Sequence, residues 1–500
     1  MRVLAIDQGT TSTRALAFDE NGRMTEVASF SHRQYYPAPG RVEHDPLELL
    51  DHIRACIQAA SKIDDLVAIG IDNQGESCLA WDSETGEPAG PVIVWQDDRT
   101  TDIVRRLDAE GLAPLVMKRA GLPLDPYFSA SKLAWILREN PRARELHTAG
   151  RLRLGTTDAF FLDRLCGRFV TDVSTASRTS LMGIDNCTWD AGLCRAFGVP
   201  IECLPEITAT TGIFGMLACG SRDIPLSASI TDQQAALHGH GCRRPGDVKI
   251  TFGTGAFALA IDDRRGLHDT GGALPTVAWR KAGEDTVHAL DGGVYCASSA
   301  VNWARGLGLF SSLDEISAFD RPPACTRGLT FVPALAGLAS PHWDRQARGT
   351  WLGLALDTGR MDMMQALLEG IAFRAAEVLE TLSRHTALNE PVSIDGGMTA
   401  NSWFCQFLAD SLEREILVSA QAELTALGVA TLAAEGAGHV LTAPLEGRRL
   451  APRPLPDGAR ELFERAREAS AGYGELAGRL KRNGSTPAAE NCVDSVIHTL

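Results

Sequence analysis

Six residues near the start of the chain combine a carboxylate, a glycine and three hydroxyls. They are residues 7–12, Asp7-Gln8-Gly9-Thr10-Thr11-Ser12. Glycine lets a backbone approach a phosphate closely, and the N–H groups and hydroxyls of such a loop can donate to phosphate oxygens. Asp7 could then hold Mg²⁺, directly or through water. A glycine and threonine hairpin turn, with Asp7 bonded to its own backbone, explains the same residues equally well.

Asp232 is the second carboxylate with a suggestive position. It follows the apolar residues 227–230 and precedes a helical pattern that starts at Gln233, which predicts a strand-to-helix junction. An aspartate there can act as a general base, taking the proton of a substrate hydroxyl while that oxygen attacks a γ-phosphorus. An aspartate at a helix start also commonly caps the helix, and on position alone capping is the favoured interpretation.

Two further glycine-containing turns lie in the second half of the chain. Gly253-Thr254-Gly255 could donate to phosphate as the first loop does, and Gly396-Gly397 with Asn401 could form a shelf for an adenine ring and its ribose. Taken one at a time, plain turns are the favoured interpretation of both.

The elements that must position these loops repeat in the two halves. Apolar residues 3–6 and 13–18 flank the first loop, and residues 248–252 and 256–261 flank the Gly-Thr-Gly turn. Each unit is typical of a strand, a tight turn and a returning strand. Two such units predict a duplicated architecture in which each half offers one loop to a shared cleft.

Two apolar stripes with a period near 3.6 residues predict helices. One contains Met364, Leu367, Leu368, Ile371, Ala375, Val378, Leu379 and Leu382, and the other contains Leu462, Ala466, Ala469, Tyr473, Leu476 and Leu480. We expect both stripes to lie in the core. Five hundred residues exceed one core, so we predict domains at residues 1–240 and 241–482 and a flexible polar tail at 483–500.

The bulk composition narrows the class of partner. A formal net charge of −15 disfavours binding to nucleic acid or to an anionic membrane, which leaves a small molecule as the expected ligand. The 12 cysteines form no C-x-x-C pair, which is typical of thiols in a reducing compartment. The chain shows neither a signal-peptide core nor a long apolar span, so a cytoplasmic location is predicted.

The ordered motifs resemble the FGGY carbohydrate kinases, and within that family the glycerol kinases, over about residues 1–440. The matching segments are residues 7–14, 127–136, 232–237, 253–255, 333–349, 353–372 and 395–401. Short motifs that are weak singly become specific when they occur in this order over more than 400 residues. The resemblance therefore favours the functional interpretation of each loop over the structural one.

The resemblance implies a duplicated ribonuclease H-like α/β fold, as in actin and hexokinase, whose two domains close over MgATP and a polyol or sugar. It makes Asp232 the catalytic base and gives Asp7 and Asp232 to Mg²⁺. It also assigns three further sets of residues. The phosphate set is Thr10, Thr11, Ser12, Arg14, Gly253 and Thr254; the nucleotide set is Ser298, Asn302, Gly397 and Asn401; the substrate set is Gly75, Glu76, Trp95, Tyr127, Asp232 and Gln233.

The chain departs from the glycerol kinase pattern at several of these positions. Gly75 stands where an arginine normally donates to the substrate, which removes a charge-assisted hydrogen bond of about 1.5–3 kcal/mol and predicts a void in the pocket. Ser298 and Asn302 replace the usual glycine and glutamine beside the nucleotide. The neighbourhood also gains an acid, because Asp72 replaces an uncharged residue.

The predicted function is ATP-dependent phosphorylation of a small polyol or sugar, with glycerol as the first candidate substrate. A kinase for a longer polyol or a ketose is the alternative within the class. A nucleotide-responsive binding protein without catalysis is the alternative outside it, and an ATPase of the actin type is the weakest. Homodimer and homotetramer both stay open.

Overall fold

The computed structural model describes residues 1–263 and 270–484. Helix α14 reaches Gly484, and the remainder of the predicted tail, residues 485–500, lies outside the described residues.

The first half is built on a six-stranded sheet. This sheet contains β1, β2, β3, β5, β13 and β14, and the other strands of this half form small separate sheets. The strands of the first half are β1 Arg2–Gln8, β2 Ser12–Asp19, β3 Met24–Ser31, β4 Glu43–His44, β5 Leu66–Asn73, β6 Cys78–Asp82, β7 Val92–Ile93, β8 Leu152–Thr156, β9 Val170–Asp172, β10 Met182–Gly183, β11 Thr188–Trp189, β12 Glu206–Thr208, β13 Thr211–Cys219 and β14 Arg222–Thr231. Its helices are α1 Pro46–Ala59, α2 Thr101–Ala109, α3 Ala113–Ala120, α4 Ser129–Glu139, α5 Pro141–Thr148, α6 Thr157–Cys166, α7 Val173–Ala176, α8 Ala191–Phe197 and α9 Asp232–Gly239.

The second half is built on a seven-stranded sheet. The strands of the second half are β15 Val248–Phe252, β16 Ala256–Asp262, β17 Leu274–Arg280, β18 Thr286–Val294, β19 Thr330–Val332, β20 Thr350–Leu352, β21 Val392–Asp395, β22 Ile416–Ser419 and β23 Gly447–Leu450. All but β19 and β20, which pair with each other, belong to this sheet. The helices of this half are α10 Ser298–Gly306, α11 Arg360–Ser383, α12 Ser402–Leu412, α13 Leu424–Gly436 and α14 Ala459–Gly484.

The two large sheets share one topology. In the first sheet the spatial order β3-β2-β1-β5-β14 pairs β1 with β2 and β2 with β3 antiparallel, while β1, β5 and β14 run parallel. In the second sheet the order β18-β16-β15-β21-β22 repeats the same sequence of antiparallel and parallel pairs. Both predicted hairpins are present as β1–β2 and β15–β16. The duplicated α/β architecture that the resemblance implies is confirmed.

Helix α13 joins the two halves into one core. It comes from the second half of the chain but packs on β1, β5 and β14 of the first sheet and on α9. The opposite side of the first sheet is covered by α1 and α6. The apolar cluster around α13 contains Val3, Ile230, Leu259 and Trp279, which come from both halves.

The two predicted helical stripes have different outcomes. Every residue of the stripe in α11 is buried, as expected. In α14 the prediction is partly wrong: Ala466 is buried, but Tyr473, Leu476 and Leu480 are 64%, 58% and 66% exposed. The buried face of α14 contains Phe463, Ala466, Ser470 and Gly474, so the helix is turned and a different face from the predicted stripe meets the protein.

Across residues 1–263 and 270–484, no helix has the length and apolar character needed to cross a bilayer. Cys56, Cys78, Cys219 and Cys405 are buried thiols outside any disulfide.

Candidate functional site

Three carboxylates stand at the ends of neighbouring parallel strands. Asp7 in β1 is in register with Asp72 in β5, which in turn pairs with Ile230 in β14, two residues before Asp232. Because β1, β5 and β14 run parallel, their carboxyl ends meet at one edge of the sheet, where open α/β sheets place their ligands.

The first glycine and threonine loop closes as the predicted tight turn. The N–H of Gly9 donates to the carbonyl of Ser12 at 3.0 Å. Trp95 Nε1 donates to Thr10 Oγ1 at 3.1 Å, which ties this loop to the predicted substrate set. The Arg14 guanidinium lies 2.6 Å from Asp7 and 2.7 Å from Glu423. Arg14 thus links the loop to the element that precedes α13.

A small cavity of about 70 Å³ brings all six residues of the predicted substrate set together. Its lining contains Thr10, Gly75, Glu76, Trp95, Tyr127, Arg178, Thr231, Asp232, Gln233, Gln234, Phe257, Leu259 and Asp291. The rings of Trp95 and Tyr127 meet edge to face, with centroids 5.7 Å apart. The cavity therefore offers both polar groups for hydroxyls and aromatic surface for a carbon skeleton.

Glu76 is held firmly in this cavity. Its backbone φ is 60°, a left-handed conformation that non-glycine residues seldom adopt and that is found at functional sites. The Ser129 hydroxyl donates to its carbonyl at 2.9 Å, and Arg178 Nε donates to its carboxylate at 2.6 Å. Burial raises the pKa of Glu76 and the Arg178 charge opposes that rise. The carboxylate is thus a fixed acceptor.

Asp232 lies at the first position of α9, and the preceding residue Thr231 occupies the N-cap position without a capping bond from its side chain. The Asp232 carboxylate accepts the N–H of Gln233 at 2.7 Å. Burial, followed by the nearby Glu76 charge, raises the pKa of Asp232 to about 7. A carboxylate with this pKa is a better proton acceptor at neutral pH than an ordinary one.

The void predicted at Gly75 stays a prediction, because Gly75 lines the cavity but a side chain there would meet Thr231 at its first atom. A Cβ built on Gly75 would lie 2.8 Å from Thr231 Cγ2. Thr231 cannot turn away cheaply: its Oγ1 lies 3.0 Å from Thr175 Oγ1, and its N–H donates to Ser174 Oγ at 3.1 Å. A Cβ at position 75 is therefore crowded by the Thr231 methyl group.

This contact gives a paired prediction. Gly75→Ala should lower the free energy of unfolding by about 1–3 kcal/mol, as overpacking does, and should raise KM for substrate. Adding Thr231→Ser, which removes Cγ2 and keeps Oγ1, should restore most of the lost stability and bring KM back towards the wild-type value. Urea unfolding and steady-state kinetics of the two single variants and the double variant measure the coupling. Additive effects would show that the contact does not limit position 75.

The predicted nucleotide residues lie outside this cavity lining. The second loop packs on the start of α10, where the N–H of Ser298 donates to the Gly253 carbonyl at 3.1 Å and the N–H of Ser299 donates to the Thr254 carbonyl at 3.1 Å. Asn302 is exposed on α10. A Cβ built on Gly397 would meet nothing within 4 Å, so open space borders that turn.

The Asn401 side chain already has partners within the protein. Its Oδ1 accepts the N–H of Phe404 at 2.9 Å, capping α12, and its Nδ2 donates to the Ile316 carbonyl at 2.7 Å. Contact with a nucleotide at this position would therefore be made by the backbone or by the edge of the side chain.

Asp72 is a buried acid beside Asp7 whose environment favours its neutral form. It is fully buried, and neither carboxylate oxygen has a hydrogen-bond partner among the described residues. Burial, then the charges of Asp7 and Asp232, raises its pKa well above the usual range. No group of three acidic, histidine or cysteine side chains in the described part of the chain is arranged to hold a metal. Mg²⁺ in nucleotide sites commonly takes only one or two carboxylates and completes its shell with phosphates and water, which Asp7 and Asp232 fit.

Sequence reasoning missed six residues of the cavity lining: Arg178, Thr231, Gln234, Phe257, Leu259 and Asp291. Arg178 is the only charged residue in the segment 173–184, and Asp291 follows apolar residues of β18 and precedes two glycines. A charge isolated in this way is the signal that could have identified both.

Comparison with known proteins gives a consistent result. The N-terminal domain of the FGGY family of carbohydrate kinases matches residues 2–239, and the C-terminal domain of the same family matches residues 248–437. A glycerol kinase from Alkalilimnicola ehrlichii is 42% identical over 447 residues, covering 87% of this chain and 90% of the relative. A glycerol kinase from Thermus brockianus is 40% identical, covering 93% and 96%.

A solved structure extends the similarity to three dimensions. The crystal structure of Plasmodium falciparum glycerol kinase with ADP aligns with a TM-score of 0.84 at 29% identity, covering 96% of this chain and 98% of that one.

Proposed function

The chain belongs to the FGGY family of carbohydrate kinases, and we propose that it transfers the γ-phosphoryl group of ATP to one hydroxyl of glycerol. The kinase class and the fold that the motifs indicated are confirmed by the family match over both halves. Glycerol is supported by relatives near 40% identity that carry the name glycerol kinase.

In this proposal Asp232 is the base. As the substrate oxygen attacks the γ-phosphorus, the proton of that hydroxyl passes to the Asp232 carboxylate, and the bond from the γ-phosphorus to the β,γ-bridging oxygen breaks to release ADP. Glu76 and Gln233 hold the hydroxyls that do not react, and Trp95 and Tyr127 pack against the carbon atoms. Closure of the two domains over the substrate excludes water, which otherwise competes as acceptor.

Phosphate binding falls to the two glycine and threonine loops. Thr10, Thr11, Ser12 and Arg14 face the phosphates from the first domain, and Gly253 and Thr254 face them from the second. Ser298, Asn302, Gly397 and Asn401 border the nucleoside. Mg²⁺, held by Asp7 and Asp232, supplies positive charge to the phosphates when it is bound.

We also infer a domain boundary at residues 240–241, between α9 and β15, and a cytoplasmic location. Buried thiols outside disulfides support the second inference.

The test is ADP release with MgATP against glycerol, erythritol, the pentitols and the common ketopentoses and ketohexoses at equal concentration. A clear preference for glycerol is the expected result. Preference for a four- or five-carbon substrate would keep the kinase and refute glycerol. ATP binding without ADP release across the whole panel would instead favour the noncatalytic binding protein.

A further inference from the structure

Two charged residues that none of the proposed roles uses face each other across the substrate cavity. Arg178 follows α7 in the first half of the chain, and Asp291 lies in β18 of the second half. Both line the cavity, and both are buried, at 5% and 8% exposed. The cavity thus contains a cation and a carboxylate from opposite domains.

Their polar atoms are only partly satisfied. Arg178 Nε donates to Glu76, and Arg178 Nη1 lies 3.1 Å from Asp291 Oδ2. That contact lacks hydrogen-bond geometry, so Nη1 has no hydrogen-bond partner, and Asp291 Oδ1 has none either. A buried donor and a buried acceptor are therefore left unmatched beside the same small cavity, which is unfavourable unless a ligand completes them.

Charge compensation alone does not account for this arrangement. Arg178 does neutralise Glu76 and Asp291, and its guanidinium also lies over the rings of Tyr127 and Phe128, at 5.9 and 5.4 Å. A purely structural pair would use its hydrogen-bonding atoms on one another, as Arg99 does. Arg99 donates to both carboxylate oxygens of Asp97 and to Glu43.

We propose that Arg178 and Asp291 together bind one nonreacting hydroxyl of the substrate. Arg178 Nη1 donates to the hydroxyl oxygen, and the hydroxyl proton is donated to Asp291 Oδ1. The inference rests on the proposed function, since it assigns a second hydroxyl subsite to the same cavity. In this arrangement Arg178 supplies the positive charge that an arginine at position 75 would otherwise provide. The bound hydroxyl also connects the two domains.

The proposal predicts selectivity against substrates that lack that hydroxyl. Wild-type protein should lose at least about 100-fold in kcat/KM on either 1,2-propanediol or 1,3-propanediol relative to glycerol, because the missing hydroxyl leaves both buried groups unpaired. Arg178→Lys and Asp291→Asn should each raise KM for glycerol at least 10-fold while changing kcat/KM for that analogue much less.

Arg99→Lys is the matched control, because Arg99 is an equally buried, doubly paired arginine outside the cavity lining. It should leave KM for glycerol near the wild-type value. Glycerol binding, followed by tryptophan fluorescence through Trp95, reports the same subsite without turnover. ATP affinity by calorimetry should be unchanged in the Arg178 and Asp291 variants.

Three results would overturn the inference. One is a normal KM for glycerol in folded Arg178→Lys and Asp291→Asn proteins. Another is an equal loss on glycerol and on the analogue, which indicates a structural role. The third is wild-type protein that neither binds nor phosphorylates any polyol, which would overturn the proposed function as well. Because this third result is seen in the wild-type protein and the first two only in the variants, the two kinds of failure can be told apart.

Discussion

Replacing Asp232 by asparagine should lower kcat by about 10²–10⁴-fold, the usual contribution of general base catalysis. Asparagine keeps the shape of the side chain and can still accept the N–H of Gln233, so α9 should begin at the same place. It cannot take the proton of the substrate hydroxyl. ADP release at saturating glycerol and MgATP measures the effect, and near-normal turnover would contradict the assignment of Asp232 as base.

The same variant should lose a pH dependence that wild-type protein shows. Since the pKa of Asp232 is about 7 and the carboxylate is the active form, wild-type kcat/KM should rise about tenfold per pH unit below pH 7 and level off above it. Glu369→Gln is the control, because burial also raises the pKa of Glu369 to about 7, yet this residue lies outside the cavity. That variant should keep the rise. If the Glu369→Gln variant loses the rise and the Asp232→Asn variant keeps it, the titrating group is not Asp232.

The second large effect is on stability. A Cβ built on Gly428 in α13 would lie 1.9 Å from the Ala235 carbonyl oxygen in α9, and a Cβ on Gly239 would lie 1.9 Å from the Leu424 carbonyl oxygen. These contacts are to backbone, so a side chain can be accepted only if the two helices separate. We expect Gly428→Ala to lower the free energy of unfolding by about 1–3 kcal/mol. Denaturant unfolding followed by circular dichroism measures it.

Gly472→Ala in α14 is the matched control for that substitution. It lies inside a helix, and a Cβ there would meet nothing within 4 Å. Alanine favours a helix over glycine by about 0.8–1.0 kcal/mol, so this variant should be stabilised or unchanged. If Gly428→Ala is also stabilised, the α9–α13 contact is more tolerant than the structure indicates.

The strands, loops and duplication were predictable because their signals are local. Apolar runs that end in glycine and threonine mark β1, β2, β15 and β16, and the order of the motifs identified Glu76, Trp95, Tyr127 and Asp232 as one substrate set. The structure brings those four residues to one cavity. Their individual roles remain predictions.

Other features depend on contacts between distant segments. Thr231 Cγ2 lies 2.8 Å from where a Cβ on Gly75 would be, and Arg178 meets Asp291 from the opposite half; neither pairing has a signature in sequence spacing. The stripe in α14 was misassigned because the apolar side chains of an amphipathic helix do not by themselves show which face meets the protein. Tyr473, Leu476 and Leu480 are exposed, while Gly474 between them is buried on the face that makes the contact.

The position of α13 has a consequence for biosynthesis. The face of the first sheet that this helix covers is complete when residue 240 has been made, but its cover, Leu424–Gly436, is not. At 5–20 residues per second the ribosome needs on the order of 10–40 s to supply it. Throughout that interval the nascent chain presents an uncovered apolar sheet face, so the first half cannot mature as an independent unit. Its completion awaits the end of translation, which makes this segment a natural client for chaperones acting at the ribosome.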